Sequence, residues 1–274
     1  MRMMLNVSNV SFRYGKHKIL EDIMLKIQPG EIVGLIGENG VGKSTLMKVI
    51  CGLRKPDVGN IQCNCERIGA LIEEPAVYPQ MTVEGNMEFF RKLYGTTRQE
   101  KEEIMNLTGV DKFPKEKAGR LSVGMKKRLG LAIALLSSDK FILLDEPTSG
   151  LDPSGTRDIL ALIQKLARER KIAFLISSHV FQDLEAVCDT YYRLKEKRLT
   201  NVYDRNDVWG YKLEKEGATV NQLVDILGEM ECQYQIREKN VLVKKSDMTK
   251  KIADILKSQN IEWKRRTLSE VYFE

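Results

Sequence analysis

Long hydrophobic runs are missing from this sequence. No stretch approaches the about 20 apolar residues that a membrane-spanning helix needs. Residues 1–15 contain Arg2 but lack the apolar core and cleavage site of a secretory signal. Internal repeats and low-complexity segments are also absent from the sequence. We therefore expect a chain that is made and kept in the cytoplasm, where it could still dock on a membrane protein.

Cysteine and histidine are scarce, which argues against a disulfide framework or a histidine-rich metal centre. The five cysteines are odd in number and scattered, and Cys63-Asn64-Cys65 is not a metal-site spacing. Free thiols in a reducing compartment are the expected state. Of the two histidines, His17 lies beside Lys16 and Lys18 in an early turn, where we expect it to be solvated.

The overall composition is that of a soluble globular protein. The chain has 274 residues, of which 42% are hydrophobic and 30% charged, so a disordered or fibrous chain is excluded. This length allows one large domain and a small one. The formal charge of +6 fits phosphate ligands, an anionic membrane surface or nucleic acid, and does not choose among them.

Apolar strands that alternate with helices indicate an α/β fold with a mainly parallel sheet. An N-terminal antiparallel β subdomain is predicted from the alternating pattern on either side of Tyr14-Gly15-Lys16. The segments 31–37, 141–146 and 172–177 are predicted as buried strands, and about 76–138 as a helical subdomain. We expect the first domain to cover residues 1–202.

The composition of the sequence changes after about Tyr203. Charged residues become more frequent, and Gly210 and Gly217 interrupt the pattern of apolar residues. Residues 203–274 predict a strand, a helix at 220–230, strands at 232–244, a helix at 247–258 and a strand at 260–266. That order is β-α-β-β-α-β, which suggests a small α+β accessory domain that could be ferredoxin-like.

The segment GENGVGKS at residues 37–44 matches the pattern G-x-x-x-x-G-K-[ST], and it lies between a predicted strand and a predicted helix, as that motif requires. Glycines at 37, 40 and 42 let backbone N–H groups approach a phosphate closely. The following helix adds its positive N-terminal end. Lys43 would place a charge between the β- and γ-phosphates, and the Ser44 hydroxyl would bind Mg²⁺.

Carboxylates and an imidazole follow two other predicted strands. Asp145 and Glu146 end the segment FILLDE, and His179 follows IAFLISS. Ligands of open parallel sheets lie at the carboxyl ends of the strands. Asp145 is predicted to hold Mg²⁺, Glu146 to polarise the attacking water, and His179 to bind a γ-phosphate or to orient the Glu146–water pair.

In combination, these motifs make the chain similar to the ATP-binding cassette (ABC) family of transport ATPases over residues 5 to about 200. GENGVGKST resembles the Walker A loop, FILLDEPTSGLDP resembles Walker B running into the D-loop, and SSH resembles the switch-histidine segment. LSVGM at 121–125 is similar to the LSGGQ signature, and Tyr14 matches the aromatic residue on which adenine stacks.

The resemblance assigns roles to particular residues. It implies catalysis by Glu146, His179 and Lys43, and Mg²⁺ ligation by Ser44, Asp145 and Glu73. It implies contacts with ATP by Tyr14, Gly37, Glu38, Asn39, Gly40, Val41, Gly42, Lys43, Ser44, Thr45, Glu73, Ser122, Gly124 and Asp152.

The family mechanism also implies partners. Two cassettes face head to tail, so that each ATP lies between the P-loop of one and the signature of the other. A homodimer is the favoured form, with a separately encoded membrane permease and no nucleic acid. The expected location is the inner face of the cell membrane, reached through the permease.

Two positions depart from the family pattern. The Q-loop Gln is replaced by Glu73 in LIEEPAVYPQ, and that side chain could ligate Mg²⁺, meet a coupling helix or point to solvent. The signature has Val123 and Met125 where Gly and Gln are usual. Because Val123 is β-branched, we do not expect a positive φ there. Both departures resemble the ATPase subunits of lantibiotic-immunity and bacitracin-resistance exporters.

Two other functions stay open from the sequence. The first is a soluble ABC protein that acts on nucleic acid or ribosomes, although these usually carry two cassettes or a long coiled-coil insertion. The second is a weakly hydrolysing cassette with a regulatory role, for which Val123 and Glu73 are the arguments. Lys43, Asp145, Glu146 and His179 argue against the second.

Overall fold

The fold is described from a computed structural model, which places residues 3–204, 209–214, 220–229, 232–237, 240–244, 248–258 and 260–265. The chain divides into two compact units, Met1–Asn201 and Val202–Glu274. Among the described residues, no helix is both long and apolar enough to cross a membrane.

The first unit contains the following strands and helices. The strands are β1 (Leu5–Tyr14), β2 (His17–Ile27), β3 (Ile32–Ile36), β4 (Val58–Cys63), β5 (Gly69–Leu71), β6 (Phe141–Asp145), β7 (Ala173–Ser177), β8 (Thr190–Lys195) and β9 (Arg198–Asp204), the last of which continues into the second unit. The α-helices are α1 (Lys43–Ile50), α2 (Val83–Tyr94), α3 (Arg98–Thr108), α4 (Val123–Ser137), α5 (Pro153–Arg170) and α6 (Phe181–Val187).

The core is a six-stranded sheet in the order β5-β6-β7-β3-β8-β9. All strand pairs from β5 to β8 are parallel. Every residue of β3, β6 and β7 is buried, as expected of strands covered on both faces. A separate antiparallel sheet, β2-β1-β4, forms the N-terminal subdomain. The predicted α/β fold with a mainly parallel core sheet and an antiparallel β subdomain is confirmed.

Helices α2, α3 and α4 fall within the predicted helical subdomain, and their ends follow from local sequence. Thr82 caps α2 by accepting a hydrogen bond from the Gly85 N–H at 3.0 Å. Thr97 and Glu100 form a reciprocal capping box at the start of α3. Helix α4 begins at Val123, so this β-branched residue has a helical backbone without the positive φ that its side chain disfavours.

The second unit contains β10 (Trp209–Glu214), α7 (Val220–Glu229), β11 (Tyr234–Arg237), β12 (Asn240–Lys244), α8 (Lys250–Ser258) and β13 (Glu262–Arg265). Its antiparallel sheet has the order β11-β12-β10-β13. Residues 230, 238, 239, 247 and 266 of the predicted elements lie outside the described residues. The division into a cassette and a ferredoxin-like accessory domain stays a prediction, and this element order agrees with it.

Candidate active site

Three adjacent strands bring the predicted phosphate-site residues to one edge of the core sheet. Strands β6, β7 and β3 are neighbours and run parallel, so their carboxyl ends lie together. The P-loop follows β3, Asp145 ends β6 and Glu146 follows it, and His179 lies two residues beyond the end of β7. Residues from three separate parts of the sequence therefore converge where open α/β sheets bind ligands.

The P-loop backbone needs glycine at positions 37 and 42. Gly42 caps α1 with φ 114°, which an L side chain rarely adopts, and a Cβ there would lie 2.9 Å from Ile19 Cγ2. A Cβ at Gly37 would lie 2.7 Å from the Leu194 carbonyl oxygen. The loop thus packs closely against the core and continues directly into the N-terminus of α1. This geometry fits a phosphate group, which backbone N–H groups of such a loop and helix start can bind.

Lys43 lies inside this loop, and only 7% of it is exposed. Its Nζ donates to the carbonyl oxygens of Gly37 at 2.6 Å and Glu38 at 3.1 Å. Burial lowers the pKa of the ammonium below its ordinary value, while Glu146 and Asp145 act in the opposite direction. The cation is held within the loop that would receive phosphate, which is the electrostatic complement of an anionic ligand.

The carboxylate of Asp145 links the P-loop to the neighbouring strand. Its Oδ2 accepts a hydrogen bond from Ser44 Oγ at 2.6 Å, and its Oδ1 accepts one from Ser177 Oγ. The Ser44 hydroxyl and a carboxylate therefore converge as hard oxygen donors of the kind that Mg²⁺ prefers. Ser177, the last residue of β7, was not predicted as a site residue, although its place directly before Ser178 and His179 was a usable signal.

Glu146 and His179 form the second polar pair. The distance from His179 Nδ1 to Glu146 Oε2 is 2.6 Å, and 53% of the histidine side chain is exposed. Glu146 has φ 51°, a conformation that is costly for a residue with a side chain and that clusters at functional sites. Its N–H donates to Ser177 Oγ at 3.0 Å, which fixes the backbone from which the carboxylate projects.

Lys127 belongs to the basic run Lys126-Lys127-Arg128 after the signature, for which the sequence leaves two readings open, support of the phosphate field or a solvated helix face. From α4 its Nζ donates to the main-chain oxygen of Glu146, and burial lowers the pKa of its ammonium. Arg128, the next residue, pairs with Asp158 of α5 at 2.9 Å. The basic run after the signature is therefore only partly a solvated face. Its place in the first turns of α4 was the available signal for Lys127.

The replaced Q-loop position, Glu73, contacts the P-loop helix. Its Oε1 lies 2.5 Å from the Nζ of Lys48, a residue of α1 that follows Lys43 by about one and a half turns. Even so, 59% of the Glu73 side chain is exposed. Its φ is 62°. The loop also packs on α4, because a Cβ at Gly130 would lie 2.9 Å from Pro75 Cβ. Gln80 is exposed beyond Pro79. The role of Glu73 toward Mg²⁺ stays a prediction.

The signature segment presents an exposed helix start. Ser122 is exposed and caps α4, accepting from the Met125 N–H at 3.3 Å, and Val123 is 53% exposed. A Cβ at Gly124 would lie 3.1 Å from Leu151 Cδ2, so the signature packs on the D-loop of its own chain. Asp152 in that loop caps α5, accepting from the Gly155 N–H at 3.1 Å.

The remaining predicted nucleotide contacts lie around the P-loop and at the β1–β2 turn. Glu38, Asn39 and Gly40 are exposed, and Val41 and Thr45 are half-buried. Tyr14 ends β1 with 42% of its surface exposed and meets Phe12 edge to face at 4.8 Å between ring centroids. An exposed ring of this kind can stack on a base.

One edge of the parallel sheet carries a P-loop, an aspartate hydrogen-bonded to the P-loop serine, and a glutamate–histidine pair. These features define a P-loop nucleotide-binding protein. The family model described as "ABC transporter" matches residues 20–149. The chain is 33% identical to the uncharacterized ABC transporter ATP-binding protein YhcH of Bacillus subtilis, over 84% of this chain and 82% of that one. It therefore belongs to the ATP-binding proteins of ABC transporters, and it is an ATP-binding subunit of such a transporter.

Further relatives and solved structures agree with this assignment. The chain is 33% identical to the bacitracin transport ATP-binding protein BcrA of Bacillus licheniformis, over 73% of this chain and 69% of that one. It is 35% identical to the lantibiotic transport ATP-binding protein SrtF of Streptococcus pyogenes, over 68% and 84%. The solved ATP-binding subunit of an ABC transporter superposes with a TM-score of 0.66 at 27% identity, over 73% and 90%. The predicted resemblance to the family and its peptide-antibiotic branch is confirmed.

Proposed function

We propose that the protein hydrolyses MgATP and that this reaction powers the removal of a peptide antibiotic by a separately encoded membrane permease. The observation that carries the hydrolytic part is the pair formed by Glu146 and His179 beside the Ser44–Asp145 contact. A binding-only cassette has no need of a further carboxylate near enough to its P-loop lysine to raise the pKa of that lysine, as Glu146 does for Lys43. The peptide-antibiotic part rests on the names of the relatives.

Each residue of the pair has a distinct task in the proposed reaction. Glu146 accepts the proton of the attacking water, because its carboxylate projects from the end of β6 beside Asp145. His179 holds the Glu146 carboxylate in place through the 2.6 Å contact. Lys43 stabilises negative charge on the transferred phosphoryl group. When bound, Mg²⁺ neutralises charge on the β- and γ-phosphates, and Ser44 and Asp145 are the residues that would hold it.

Glu73 gives this proposal a test at the metal. Glu73 forms an ion pair with Lys48 of α1, the helix that also carries Ser44. We therefore expect Glu73→Gln to raise the Mg²⁺ concentration needed for half-maximal phosphate release about tenfold. The free energy of unfolding should hardly change, since an exposed ion pair contributes about 0–1 kcal/mol. Glu74→Gln, at the exposed neighbouring position, is the matched control. An unchanged Mg²⁺ dependence would assign Glu73 no role at the metal.

A second copy of the chain is the proposed partner at the nucleotide. Ser122 at the start of α4 is exposed, and α4 offers its N-terminal N–H groups and positive dipole end to an anion. In the family arrangement that anion is the γ-phosphate bound by the other cassette. A homodimer would thereby complete two equivalent sites, each with a P-loop from one chain and a signature from its partner.

An aromatic patch after the Q-loop is the proposed docking surface for the permease. The patch consists of Tyr78, Phe89, Phe90 and Tyr94, linked by ring contacts of 4.8, 5.2 and 5.8 Å between centroids. Tyr78 and Phe89 are exposed. A cavity of about 560 Å³ beside it is lined by Phe90, Tyr94 and Leu71. Through the loop that holds Glu73, the patch lies next to the P-loop helix, so docking there couples to nucleotide state.

The substrate proposal is tested in the organism that carries the gene. We expect deletion to raise sensitivity to bacitracin or lantibiotics severalfold and the wild-type gene to restore protection. Glu146→Gln should fail to restore it because hydrolysis is lost. Phe89→Glu should also fail, while the purified variant still releases phosphate, because only permease docking is lost. Val58→Glu, a change at an exposed apolar residue on β4, is the matched control and should protect fully.

Two results would overturn these assignments separately. Unchanged sensitivity of the deletion strain to peptide antibiotics would reject the substrate class and leave the ATPase assignment intact. Full protection by the Phe89→Glu variant would reject the docking surface. The proposed location is the inner face of the cell membrane, which the chain reaches through the permease. It is tested by fractionating membranes from strains with and without the permease.

A further inference from the structure

Two thiols lie against each other at the end of β4. Cys63 is the last residue of that strand, and the chain bends at residues 64–66 directly after it. The bend places Cys65 beside Cys63, and their sulfur atoms are 2.7 Å apart. Both residues are free thiols, and both are only partly buried.

We propose that Cys63 and Cys65 form a redox-active dithiol, a modification site that reacts with low-molecular-weight disulfides and closes to an internal disulfide. The site lies outside the nucleotide-binding edge. Its test on the purified chain does not depend on the proposed transport function, although one of its cavities, of about 560 Å³, is the cavity beside the aromatic patch. It rests on the sulfur contact, on the exposure of both thiols to open cavities, and on the contrast with the other cysteines of the chain.

The two thiols are chemically unequal. The hydrogen bond from Cys65 lowers the pKa of the Cys63 thiol, and the same contact raises the pKa of Cys65. The thiolate is the nucleophile in disulfide exchange, so Cys63 attacks first and Cys65 resolves. Cys51 differs from Cys63, because burial raises the pKa of its thiol and its Sγ donates to the Lys48 carbonyl oxygen at 3.6 Å.

Both thiols line cavities that small reagents can enter. Cys63 lines a cavity of about 500 Å³ and, together with Cys65 and Cys51, a second cavity of about 560 Å³. Cys65 also lines a cavity of about 790 Å³. These spaces admit a molecule with a few heavy atoms on each side of an S–S bond. Cys188 and Cys232, by contrast, are buried.

The reaction proceeds in two exchange steps. The Cys63 thiolate attacks one sulfur of the disulfide RSSR, the S–S bond breaks, and RS⁻ leaves with the electron pair and takes a proton from solvent. Cys65 then loses its proton to solvent and attacks Cys63 Sγ, which expels the second RS⁻. In sum, two protein thiols are oxidised to one disulfide, and one RSSR is reduced to two RSH.

The test treats the purified full-length chain with the neutral reagent 2-hydroxyethyl disulfide at neutral pH and follows intact mass and peptide maps. The wild type should lose two hydrogens and keep no adduct, with Cys63 and Cys65 joined. Cys65→Ser should accumulate one adduct at Cys63, because the resolving thiol is gone. Cys63→Ser should keep one adduct at Cys65, because no partner thiol is left to expel it. Cys51→Ser, from the same cavity, should behave as the wild type, and dithiothreitol should restore the starting mass.

Several results would overturn the proposal. A lasting adduct on the wild type would show that Cys65 does not resolve. A first adduct on Cys65 instead of Cys63, in wild-type samples quenched with acid at early times, would show that the thiols are not polarised in the predicted sense. Modification of Cys51 before Cys63 would show that the site is not selective. The wild-type measurement needs no variant, so it decides even where a serine variant fails to fold.

Discussion

Replacing Glu146 by Gln is expected to lower the rate of phosphate release by about 10²–10⁴-fold, the usual contribution of a general base. The amide is nearly isosteric with the carboxylate and keeps a hydrogen-bonding atom near His179 Nδ1, which lies 2.6 Å from Glu146 Oε2. It cannot accept the proton of the attacking water. ATP affinity should stay within a few fold, because the P-loop contacts of Lys43 and Ser44 are unchanged.

The measurement is steady-state phosphate release, together with ATP binding by the same preparation. Bound ATP that is not hydrolysed should hold two chains together, so the variant should run as a dimer with ATP and as a monomer with ADP. Glu102→Gln, at an exposed position of α3, is the matched control and should keep wild-type turnover. Turnover of the Glu146→Gln variant within a few fold of wild type would remove Glu146 from the role of base.

Replacing Lys43 by Met is expected to weaken ATP binding by about 10–100-fold. A hydrogen bond to a charged group contributes about 1.5–3 kcal/mol, and this ammonium is the cation enclosed by the P-loop. Met keeps most of the volume of the lysine stem, so the packing of the loop is preserved. The carbonyl oxygens of Gly37 and Glu38 lose their donor, which should cost some stability.

Nucleotide titration and thermal unfolding of the same variant separate the two effects. A melting temperature only a few degrees below that of the wild type, together with weak ATP binding, is the expected outcome. Lys55→Met, at an exposed lysine after α1, controls for the loss of one charge. A folded Lys43→Met variant that binds MgATP as tightly as the wild type would contradict the assigned role.

The core fold was predictable because its signals are local. The strands β3, β6 and β7 are continuous apolar runs. The glycines and the lysine of GENGVGKS are typical of a phosphate-binding loop between a strand and a helix. Parallel strand ends meet at one sheet edge, so Asp145, Glu146 and His179 could be placed together before any distance was known. The observed contacts of Ser44 with Asp145 and of His179 with Glu146 follow that expectation.

Contacts made by long side chains between separate elements were beyond the sequence. The Nζ of Lys127 reaches the Glu146 main chain from α4, and Glu73 pairs with Lys48 rather than simply pointing to solvent. Both depend on how α4 and the Q-loop pack on the core, which no local pattern encodes. The polarity of the Cys63–Cys65 pair is likewise a property of the bend after β4, since the C-x-C spacing alone gives only proximity.

The central claim is that this cassette hydrolyses ATP rather than only binding it. The most direct measurement is the rate of inorganic phosphate release by the purified wild-type chain with ATP, with and without Mg²⁺, over a range of protein concentrations. The account predicts continuous turnover that requires Mg²⁺ and that rises per chain as the protein becomes concentrated enough to dimerise. Tight binding of MgATP without phosphate release at any concentration would contradict it.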